Sequence, residues 1–316
     1  MRAVTIHEFS NPPGPVASEA KPPQPRDGET VIEVIATEIA PLDRQIAMGL
    51  LPGAGPLPIQ PGATGVGRVR GSARFERGQL VYIGGGPFGL GNSRPGMAAE
   101  QVSVPHEAAV PIPEEVDPML AAAGVSGGIS ARQSLFDYGR LQPDGTVLVL
   151  GATGSVGRAA CQIAAAFGAT VLAAARDTSA LDDLDAVPVS LENLTGEVMA
   201  ATGGKGAQVI IDPLGGPYLN AAILCGAPKA RHLLIGYSAG RNADFTIPLT
   251  MIRQHRLMGF HAYQAPPGRY QEVIAEVLDD IAVGTLKPIV RVTVALEEMA
   301  AGYAAVGGRG RVLVLP

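Results

Sequence analysis

The chain has 316 residues, 47% of them apolar and 17% charged, a composition that can bury a sizeable core and excludes disorder as the main state. With 24 Lys and Arg residues against 29 Asp and Glu residues, its formal net charge is −5, so it offers no basic surface to nucleic acid or to an anionic membrane. The length predicts two domains, and the charge favours a small neutral or anionic ligand.

The two cysteines, Cys161 and Cys225, lie in apolar stretches. Two thiols can form neither a disulfide framework nor a multi-cysteine zinc site, so we expect both to be buried and reduced. Residues 1–9 mix charged residues with β-formers and lack the pattern of a signal peptide. The uncharged residues 159–175 are typical of a helix end, a turn and a strand rather than a membrane span. We therefore expect a soluble, cytoplasmic protein.

The first 120 residues consist of short β-like segments separated by Pro and Gly, which is typical of an irregular all-β domain. The clearest predicted strand is residues 30–39, which carries apolar side chains on both faces. Residues 52–62 and 84–96 are rich in turn-forming residues.

The pattern changes after about residue 118, where helical segments alternate with short apolar runs. The predicted strands of this region are residues 146–150, 170–175, 209–211 and 233–235. Such alternation predicts βαβ units and a parallel sheet. After about residue 258 separate elements return, with a helix predicted at residues 269–282 and strands at residues 289–294 and 311–315.

The strongest motif is TVLVLGATGSVG, residues 146–157, in which a strand leads into a glycine turn and a helical run at residues 158–167. Gly154 and Gly157 let the backbone approach a pyrophosphate, and the helix N-terminus supplies free N–H groups and a positive dipole end. A second strand follows at the spacing of one βαβ unit. We therefore predict a dinucleotide site at this turn.

The end of that second strand bears on cofactor choice. Sites for NAD carry an acidic residue there for the ribose 2′-hydroxyl, whereas this chain has Arg176. A guanidinium can pair with a 2′-phosphate, so we expect NADPH rather than NADH. Two facts favour other interpretations: Asp177 follows directly, and an arginine at a strand end is often only a solvated surface charge.

Several segments, taken in order along nearly the whole chain, carry a resemblance to one family. Besides the glycine turn, they are PRDGETV (residues 25–31), PLD (41–43), GMAAEQV (96–102), GISA (128–131), GGKG (203–206) and GRGRVLV (308–314). The ordered set resembles the zinc-independent members of the medium-chain dehydrogenase/reductase superfamily, in particular the quinone oxidoreductases related to ζ-crystallin.

The resemblance implies an α/β fold in which a Rossmann doubly wound parallel sheet is inserted in a GroES-like β-barrel domain. Residues 1–120 and 258–316 would form the substrate and catalytic domain, and residues 121–257 the NADPH-binding domain. The change of pattern along the sequence agrees with this division. In such enzymes the cofactor and substrate lie in the cleft between the domains, at the carboxyl ends of the parallel strands.

The resemblance also bears on metal binding. Zinc-dependent relatives hold their catalytic metal with a Cys, a His-Glu pair and a second Cys, and the matching positions here are Ala40, Ala63 with Thr64, and about Ala122. The four-cysteine zinc lobe of those relatives is absent as well. The histidines are His7, His106, His232, His255 and His261. Because they are scattered without ligand spacing, we expect no metal site and no Lewis-acid route to alcohol oxidation.

Hydride transfer without a metal suits an acceptor that is already electron-poor, such as a quinone or an α,β-unsaturated carbonyl. The resemblance implies pyrophosphate contacts from the glycine turn, a 2′-phosphate contact from Arg176, and nicotinamide or ribose contacts from Ser130 and from loops after later strands. The turn residues are Thr153, Gly154, Ser155, Val156 and Gly157, and the loop residues are Gly236, Tyr237, Ser238 and Phe260. For Tyr237 the alternative is a surface loop aromatic.

Asp43 is the candidate catalytic residue. Family members often carry Asn-Pro-x-Asp followed by a Tyr, where this chain has Ala40 in place of the Asn and Leu51 in place of the Tyr. That Tyr is the proposed proton donor of the enoyl reductase branch, so its absence favours protonation by solvent. Asp43 is either a site residue or a structural residue, which forms a turn or caps the helical run at residues 44–48.

The side chains that the resemblance places in the substrate cleft are small and mostly apolar: Ala40, Leu51 and Ala63. They suit a small, flat hydrophobic carbonyl or quinone. Residues 84–96 either line the same cleft, with Phe88 as an apolar wall, or form a flexible surface loop.

Alternatives to a quinone or enone reductase remain open. An enoyl-thioester reductase would need a basic groove for a phosphopantetheine arm, for which the candidates are Arg68, Arg70, Arg74 and Arg77. A solvated β-edge is the commoner meaning of such charges. A third reading is a non-catalytic protein that binds or senses NADPH. In each case we expect a homodimer, formed through the edge of the Rossmann sheet with residues 233–237 and 245–249.

Overall fold

The computed structural model describes residues 1–51 and 53–316; Pro52, which opens the turn-rich stretch at residues 52–62, lies outside them. The described residues form two compact units. Unit 1 comprises Met1–Ser126 and Tyr263–Pro316, and unit 2 comprises Gly127–Ala262. The chain thus begins unit 1, builds unit 2 and returns to unit 1. The sequence predicts the two boundaries a few residues earlier.

The N-terminal segment of unit 1 is mostly strand. Its elements are β1 (Arg2–Thr5), β2 (Val16–Glu19), β3 (Glu29–Ile39), α1 (Pro41–Ala47), β4 (Thr64–Gly71), β5 (Leu80–Gly84), β6 (Gln101–Pro105), β7 (Ala109–Pro111) and the first part of α2 (Pro118–Arg132), which continues into unit 2 at Gly127. In this part of the chain, and in the rest of the described residues, no helix has both the length and the apolar character to cross a bilayer.

Unit 2 alternates strands and helices after a π-helical segment, Gln133–Tyr138, that continues α2. Its elements are β8 (Thr146–Leu150), α3 (Ser155–Ala166), β9 (Thr170–Ala175), β10 (Val187–Ser190), α4 (Leu194–Ala201), β11 (Ala207–Asp212), α5 (Leu219–Cys225), β12 (Gly226–Leu234), α6 (Ile247–Ile252) and β13 (Arg256–Gly259). All the strand pairs of this sheet are parallel, in the order β10-β9-β8-β11-β12-β13. This is the order of a doubly wound Rossmann sheet, whose chain direction across the sheet switches between β8 and β11. The predicted parallel sheet is confirmed.

The C-terminal segment completes unit 1 with α7 (Pro267–Ala282), β14 (Val290–Ala295), α8 (Met299–Ala304) and β15 (Arg311–Leu315). The seven-stranded sheet of unit 1 has the order β14-β15-β3-β4-β5-β7, with β6 also paired to β3, and β1 and β2 form a separate two-stranded sheet. β15 is antiparallel to β3 and parallel to β14. Because β14 and β15 come from the C-terminal segment, unit 1 needs chain from both sides of unit 2.

β3 is buried along most of its length because it contributes to two separate cores. Ile32 and Val34 pack in a cluster with Ile83, whereas Ile39 packs in another cluster with Tyr303 and the strand β15. A strand with both faces covered reads as a nearly continuous apolar run, which is why the sequence predicts it clearly.

Two strands of the Rossmann sheet are not predicted from the sequence. β10 and β13 form the two edges of that sheet and are only four residues long, too short and too exposed to show an apolar pattern. β12 begins at Gly226, earlier than predicted, and its pairing with β11 is irregular near its start. That irregularity, together with Pro228 and Lys229, hides the first half of the strand from a pattern search.

The prediction that residues 233–237 lie at an edge of the Rossmann sheet and form part of a dimer contact is wrong. Leu233 is fully buried in β12, which lies between β11 and β13. The mistake arises because β13, which covers β12, is not apparent in the sequence.

Contacts within unit 1 argue against the flexible-loop alternative for residues 84–96. Leu90 is buried, and the amide of Gly85 donates to the carbonyl of Ala63 at 3.0 Å. Phe88 is half-buried against the cluster that contains Ile83. Backbone hydrogen bonds and apolar packing therefore fix this segment within unit 1.

Of the basic residues near β4, Arg68 and Arg70 lie in that strand, which pairs with both β3 and β5 and so is not an edge strand; Arg74 and Arg77 follow it. Arg70 forms an ion pair with Glu33 at 2.5 Å, and the Arg74 guanidinium lies over the ring of Phe75. Arg70 and Arg74 therefore have partners inside unit 1, and a basic groove for a phosphopantetheine arm stays a prediction.

Candidate functional site

The first candidate site is the turn between β8 and α3 in unit 2. Gly151 has a φ of +57°, a conformation that favours glycine. A Cβ on Gly157 would lie 2.8 Å from Cα of Ala152 and would clash with the Gly151 carbonyl oxygen. Only glycine therefore lets α3 pack this closely on the turn. Its N-cap residue, Gly154, makes no side-chain capping bond, so the first-turn amides are open to an anion.

The predicted pyrophosphate residues surround this opening. Thr153, Gly154, Ser155 and Val156 are partly exposed, whereas Gly157 is buried against the turn. The helix α2 also passes here, because a Cβ on Gly127 would lie 2.6 Å from the Ser155 hydroxyl. Ser130 is partly exposed on that same helix, one turn further along.

The remaining predicted cofactor residues follow the carboxyl ends of other strands of the sheet. Arg176 directly follows β9, the segment Gly236, Tyr237 and Ser238 follows β12, and Phe260 follows β13. Because the strands are parallel, their carboxyl ends meet at one edge of the sheet. The structure of unit 2 thus brings the predicted cofactor residues to the same edge.

Arg176 and Asp177 differ in whether their charged groups already have hydrogen-bond partners nearby. Arg176 is exposed at the end of β9. The Asp177 carboxylate accepts hydrogen bonds from the amide (3.1 Å) and the hydroxyl (2.7 Å) of Ser179, and so caps its own short turn. The acidic group that could compete with Arg176 for the ribose is therefore already engaged.

The loops after β11 and β12 are tied together. We call residues 213–216 the β11 turn and residues 236–240 the β12 turn. The amide and hydroxyl of Ser238 donate to the Pro213 carbonyl at 3.2 and 3.0 Å. A Cβ on Gly236 would lie 2.7 Å from the same oxygen. These contacts hold the predicted residues Gly236 and Ser238 in one arrangement.

Tyr237 and Phe260 have different surroundings. Tyr237 is 38% exposed, with the Arg241 guanidinium 5.3 Å from its ring centroid, as a surface aromatic would be. The Phe260 amide donates to the Leu234 carbonyl at 3.0 Å, and its ring meets Tyr138 edge to face. Phe260 is therefore the more rigidly placed of the two.

The second candidate site is Asp43 in unit 1. The N-cap of α1 is Ala40, and Asp43 occupies the third helical position. Its Oδ2 accepts the amide of Ala40 at 2.9 Å, and its Oδ1 accepts the amide of Ala63 at 3.4 Å. Asp43 is not the N-cap residue, because α1 already begins at Pro41, a residue that favours the first helical position. Its carboxylate nevertheless caps the helix from the third helical position by accepting the amide of Ala40.

Burial dominates the electrostatics of Asp43, whose side chain belongs to a residue only 6% exposed. Burial, with a smaller contribution from the negative charge of Glu38, raises the pKa of Asp43 to about 6. The amides of Ala40 and Ala63 and the Arg311 guanidinium oppose the shift. A carboxyl with this pKa can hold or release a proton near neutral pH.

Buried polar groups that the sequence analysis does not identify lie around Asp43. Glu38 accepts the Thr64 hydroxyl at 2.7 Å and forms an ion pair with Arg311 at 3.0 Å. Burial raises the pKa of the Tyr263 phenol, and the charges of Asp43 and Glu38 add to this. A charged residue within the apolar strand at residues 30–39 is the one sequence signal that could have identified Glu38.

The predicted substrate-cleft residues fall into two groups. Ala40 and Ala63 meet at the Asp43 carboxylate through their amides. Leu51 packs against the cluster that contains Ile39, and Phe88 packs against the cluster that contains Ile83. The structure therefore joins two of the four residues around one group, and the cleft role of all four stays a prediction.

The positions that hold zinc in zinc-dependent relatives do not fit a metal here. Ala40, Ala63 and Ala122 have no donor side chain, and the Thr64 hydroxyl donates to Glu38. Within residues 1–51 and 53–316, no group of three His, Cys, Asp or Glu side chains could hold a metal ion. Burial raises the pKa of Cys161 to about 12 and that of Cys225 to about 11, so neither supplies a thiolate at neutral pH.

Comparison with known proteins adds family evidence. A family described as "Zinc-binding dehydrogenase" matches residues 155–279. The quinone oxidoreductase of Pongo abelii is 25% identical, and the match covers 100% of this chain and 98% of that protein. The crystal structure of an NAD-dependent alcohol dehydrogenase is 27% identical, with a TM-score of 0.89 and full coverage of both chains. An alcohol dehydrogenase superfamily protein from Novosphingobium aromaticivorans is 25% identical, with a TM-score of 0.89 and coverage of 100% and 99%.

These full-length matches confirm the predicted fold class, a Rossmann domain inserted in a GroES-like domain. The open glycine turn stands where that fold binds dinucleotides, and a quinone oxidoreductase matches from end to end. The chain is an oxidoreductase that is similar from end to end to quinone oxidoreductases, and it has the fold of the medium-chain dehydrogenase/reductase superfamily.

Proposed function

We propose that the chain is a zinc-independent, NADPH-dependent oxidoreductase that reduces a quinone or an α,β-unsaturated carbonyl. The observation that carries the proposal is the open glycine turn of unit 2, with unpaired first-turn amides of α3 beside the point where the strand order switches. This is the arrangement that receives the pyrophosphate of a dinucleotide.

The residues of unit 2 fit a phosphorylated nicotinamide cofactor. The backbone from Thr153 to Gly157 would hold the pyrophosphate, and Arg176 would pair with the 2′-phosphate. The engagement of Asp177 Oδ1 with Ser179 supports NADPH, because that oxygen is directed to its own turn and away from a ribose 2′-hydroxyl. When bound, the nicotinamide ring would supply a hydride.

The nature of the acceptor follows from unit 1. With Ala40 and Ala63 at positions where relatives bind zinc, no metal polarises a carbonyl oxygen, so the acceptor must accept hydride readily by itself. Quinones and α,β-unsaturated carbonyls meet that condition. The remaining proton comes from solvent. Asp43 of unit 1, with a pKa of about 6, could hold and pass on such a proton near neutral pH.

The experiment that tests the proposal follows the oxidation of NADPH and NADH by the purified protein with a panel of quinones, 2-alkenals, enoyl-thioesters and alcohols. We expect higher kcat/KM with NADPH than with NADH, and turnover of quinones or alkenals without added metal. Higher efficiency with NADH, or turnover only of alcohols and only with zinc, contradicts the proposal. Preference for thioesters favours an enoyl-thioester reductase, and tight NADPH binding without any turnover favours a sensing protein.

Arg176→Ala tests the cofactor assignment. Loss of a charge-assisted contact to the 2′-phosphate should lower kcat/KM for NADPH by about 10- to 100-fold and leave that for NADH nearly unchanged. Arg256→Ala is the matched control, because Arg256 is also exposed in unit 2 but lies at the amino end of β13. Equal losses with both cofactors, or equal effects of the two variants, would remove Arg176 from the site.

A further inference from the structure

A continuous chain of buried hydrogen bonds crosses three neighbouring strands of unit 2. Asp212 ends β11, His232 lies in β12, and both are fully buried. Asp212 Oδ2 lies 3.1 Å from His232 Nε2. His232 Nδ1 lies 3.3 Å from Nε2 of His255, which directly precedes β13 and is also buried. The two imidazole rings meet edge to face.

The proton positions in this chain follow from its two ends. Asp212 Oδ1 accepts the amides of Leu214 and Gly215 at 2.9 and 2.8 Å, and an ionised Asp212 accepts at Oδ2 as well. His232 then donates from Nε2 and accepts at Nδ1 from Nε2 of His255. His255 Nδ1 is left as a lone pair, in keeping with its lack of a hydrogen-bond partner among the described residues.

The His255 ring is held in a fixed pocket. A Cβ on Gly226 would lie 2.6 Å from Cε1 of His255, so glycine is what makes room for the ring. The Arg253 guanidinium donates to the carbonyls of Leu224 and Gly226 at 3.1 and 2.6 Å. Burial, with smaller contributions from His232 and Arg253, lowers the pKa of His255 to about 4. The ring is therefore neutral at physiological pH and able to donate one hydrogen bond only.

Asp212, the acceptor end of this chain of hydrogen bonds, lies next to the turns of the candidate nucleotide site. Through its Oδ1, Asp212 folds the β11 turn back over the end of its own strand. The β11 turn in turn accepts bonds from the β12 turn at Pro213 and at Leu214, the latter from the amide of Ala239 at 2.8 Å. The β12 turn contains Gly236, Tyr237 and Ser238. Hydrogen bonds thus connect Asp212 to the β11 turn and, through it, to the β12 turn.

We propose that His232 and His255 are positioning residues for the cofactor site, which act through Asp212 to hold the β11 and β12 turns in their binding arrangement. The inference rests on the proposed function, because it takes these turns to contact the cofactor. Hydrogen bonds in a dry interior are strong and reinforce one another along a chain. His255, the last donor of this chain, therefore helps to order the β11 and β12 turns although it does not contact them.

The proton positions are tested first, by nitrogen-15 NMR of the imidazoles in the full-length protein. We expect both His232 and His255 to be protonated at Nε2. In Asp212→Asn the amide N–H would face His232, and the proton of each ring should move to Nδ1. A wild-type His232 protonated at Nδ1, or tautomers that stay the same in the variant, would overturn the proposed chain.

The positioning role is tested by calorimetric titration with NADPH. His255→Leu removes the donor and should raise the Kd of NADPH by about fivefold. His255→Gln retains an amide N–H that can reach His232 Nδ1, and should restore the Kd to within about twofold of the wild-type value. Val198→Ala is the matched control, because it removes buried apolar contacts of α4 in the same unit without touching the chain; its Kd should equal that of the wild type.

The outcomes separate this inference from the proposed function. If the wild type binds NADPH and His255→Leu binds it equally well, the positioning role is wrong while the proposed function stands. The same holds if Val198→Ala weakens binding as much as His255→Leu does, since the effect would then reflect lost stability. A wild type that binds neither NADPH nor NADH overturns the proposed function and, with it, this role.

Discussion

At the scale of single residues, Asp43 shows burial and hydrogen bonding in opposition. Both of its oxygens accept backbone amides, which favours the carboxylate, yet burial beside Glu38 raises the pKa to about 6. Burial therefore outweighs two hydrogen bonds. An ionised Asp43 costs folding free energy at neutral pH that a neutral side chain of the same shape would not.

Asp43→Asn should remove that cost. The folded pKa of Asp43 is raised from 3.8 to about 6, so its contribution to stability is fully present below about pH 4 and is lost as the pH rises through 6. The wild type should lose up to about 3 kcal/mol of unfolding free energy from this group between pH 4 and 7, whereas the variant should not. Urea unfolding of both proteins at the two pH values measures the difference.

Parallel pH dependences in the wild type and Asp43→Asn would contradict this assignment. Turnover provides the functional half of the same test. A variant with unchanged turnover at every pH would show that Asp43 is a structural carboxyl rather than a proton donor.

At the scale of elements, the position of α3 depends on the contact between its first turn and the turn after β8. A side chain at Gly157 would meet the Gly151 carbonyl and the Ala152 backbone, neither of which can move without shifting β8. The glycine is thus required for helix packing as well as for the approach of a ligand.

Gly157→Ala should therefore destabilise unit 2 by about 1–3 kcal/mol and weaken NADPH binding. The control is Gly268→Ala in α7, where an added Cβ meets nothing within 4 Å and should leave stability unchanged or slightly improved. Urea unfolding and NADPH titration of both variants make the comparison. Equal stability of the two variants would show that α3 can shift at little cost.

How well the sequence predicts an element depends on its place in the sheet. β8 and β9 are internal strands, and the predicted ranges 146–150 and 170–175 match their bounds, because strands covered on both faces give unbroken apolar runs. The edge strands β10 and β13 lack that pattern. The glycine turn is likewise a local signal that a motif reveals.

The buried networks could not be predicted, because their members are distant in sequence. Glu38 meets Arg311 only because β15 pairs with β3, and Asp212, His232 and His255 meet only through the register of three parallel strands. Nothing local distinguishes these histidines from scattered surface residues. Strand pairing alone brings the groups within hydrogen-bonding distance.

At the scale of the whole molecule, unit 2 exposes apolar side chains just before its edge strand β13. The most exposed are Ile247, Met251 and Ile252 of α6, with Phe245 close by in sequence. Exposed apolar groups of this kind mark interaction surfaces, and they adjoin in sequence an edge strand whose backbone can pair further. If the chain forms the expected homodimer, we expect the contact at α6 rather than at residues 233–237.

Met251→Asp combined with Ile252→Asp should therefore convert a dimer into a monomer, measured by sedimentation equilibrium. The two added charges would have to be buried in the interface, which is unfavourable. Val283→Asp is the control, since Val283 is 77% exposed in unit 1 and should leave the mass unchanged. A monomeric wild type, or a double variant that stays dimeric, would rule out this surface.

The insertion of unit 2 between the two segments of unit 1 also governs the order in which the protein can fold during synthesis. All of unit 2 emerges as one continuous stretch and can fold as soon as residue 262 has left the ribosome. β3 emerges far earlier but pairs with β15, which the ribosome makes on the order of tens of seconds later. During that interval Glu38 lacks Arg311, and the N-terminal segment presents an open strand edge to chaperones and to neighbouring nascent chains.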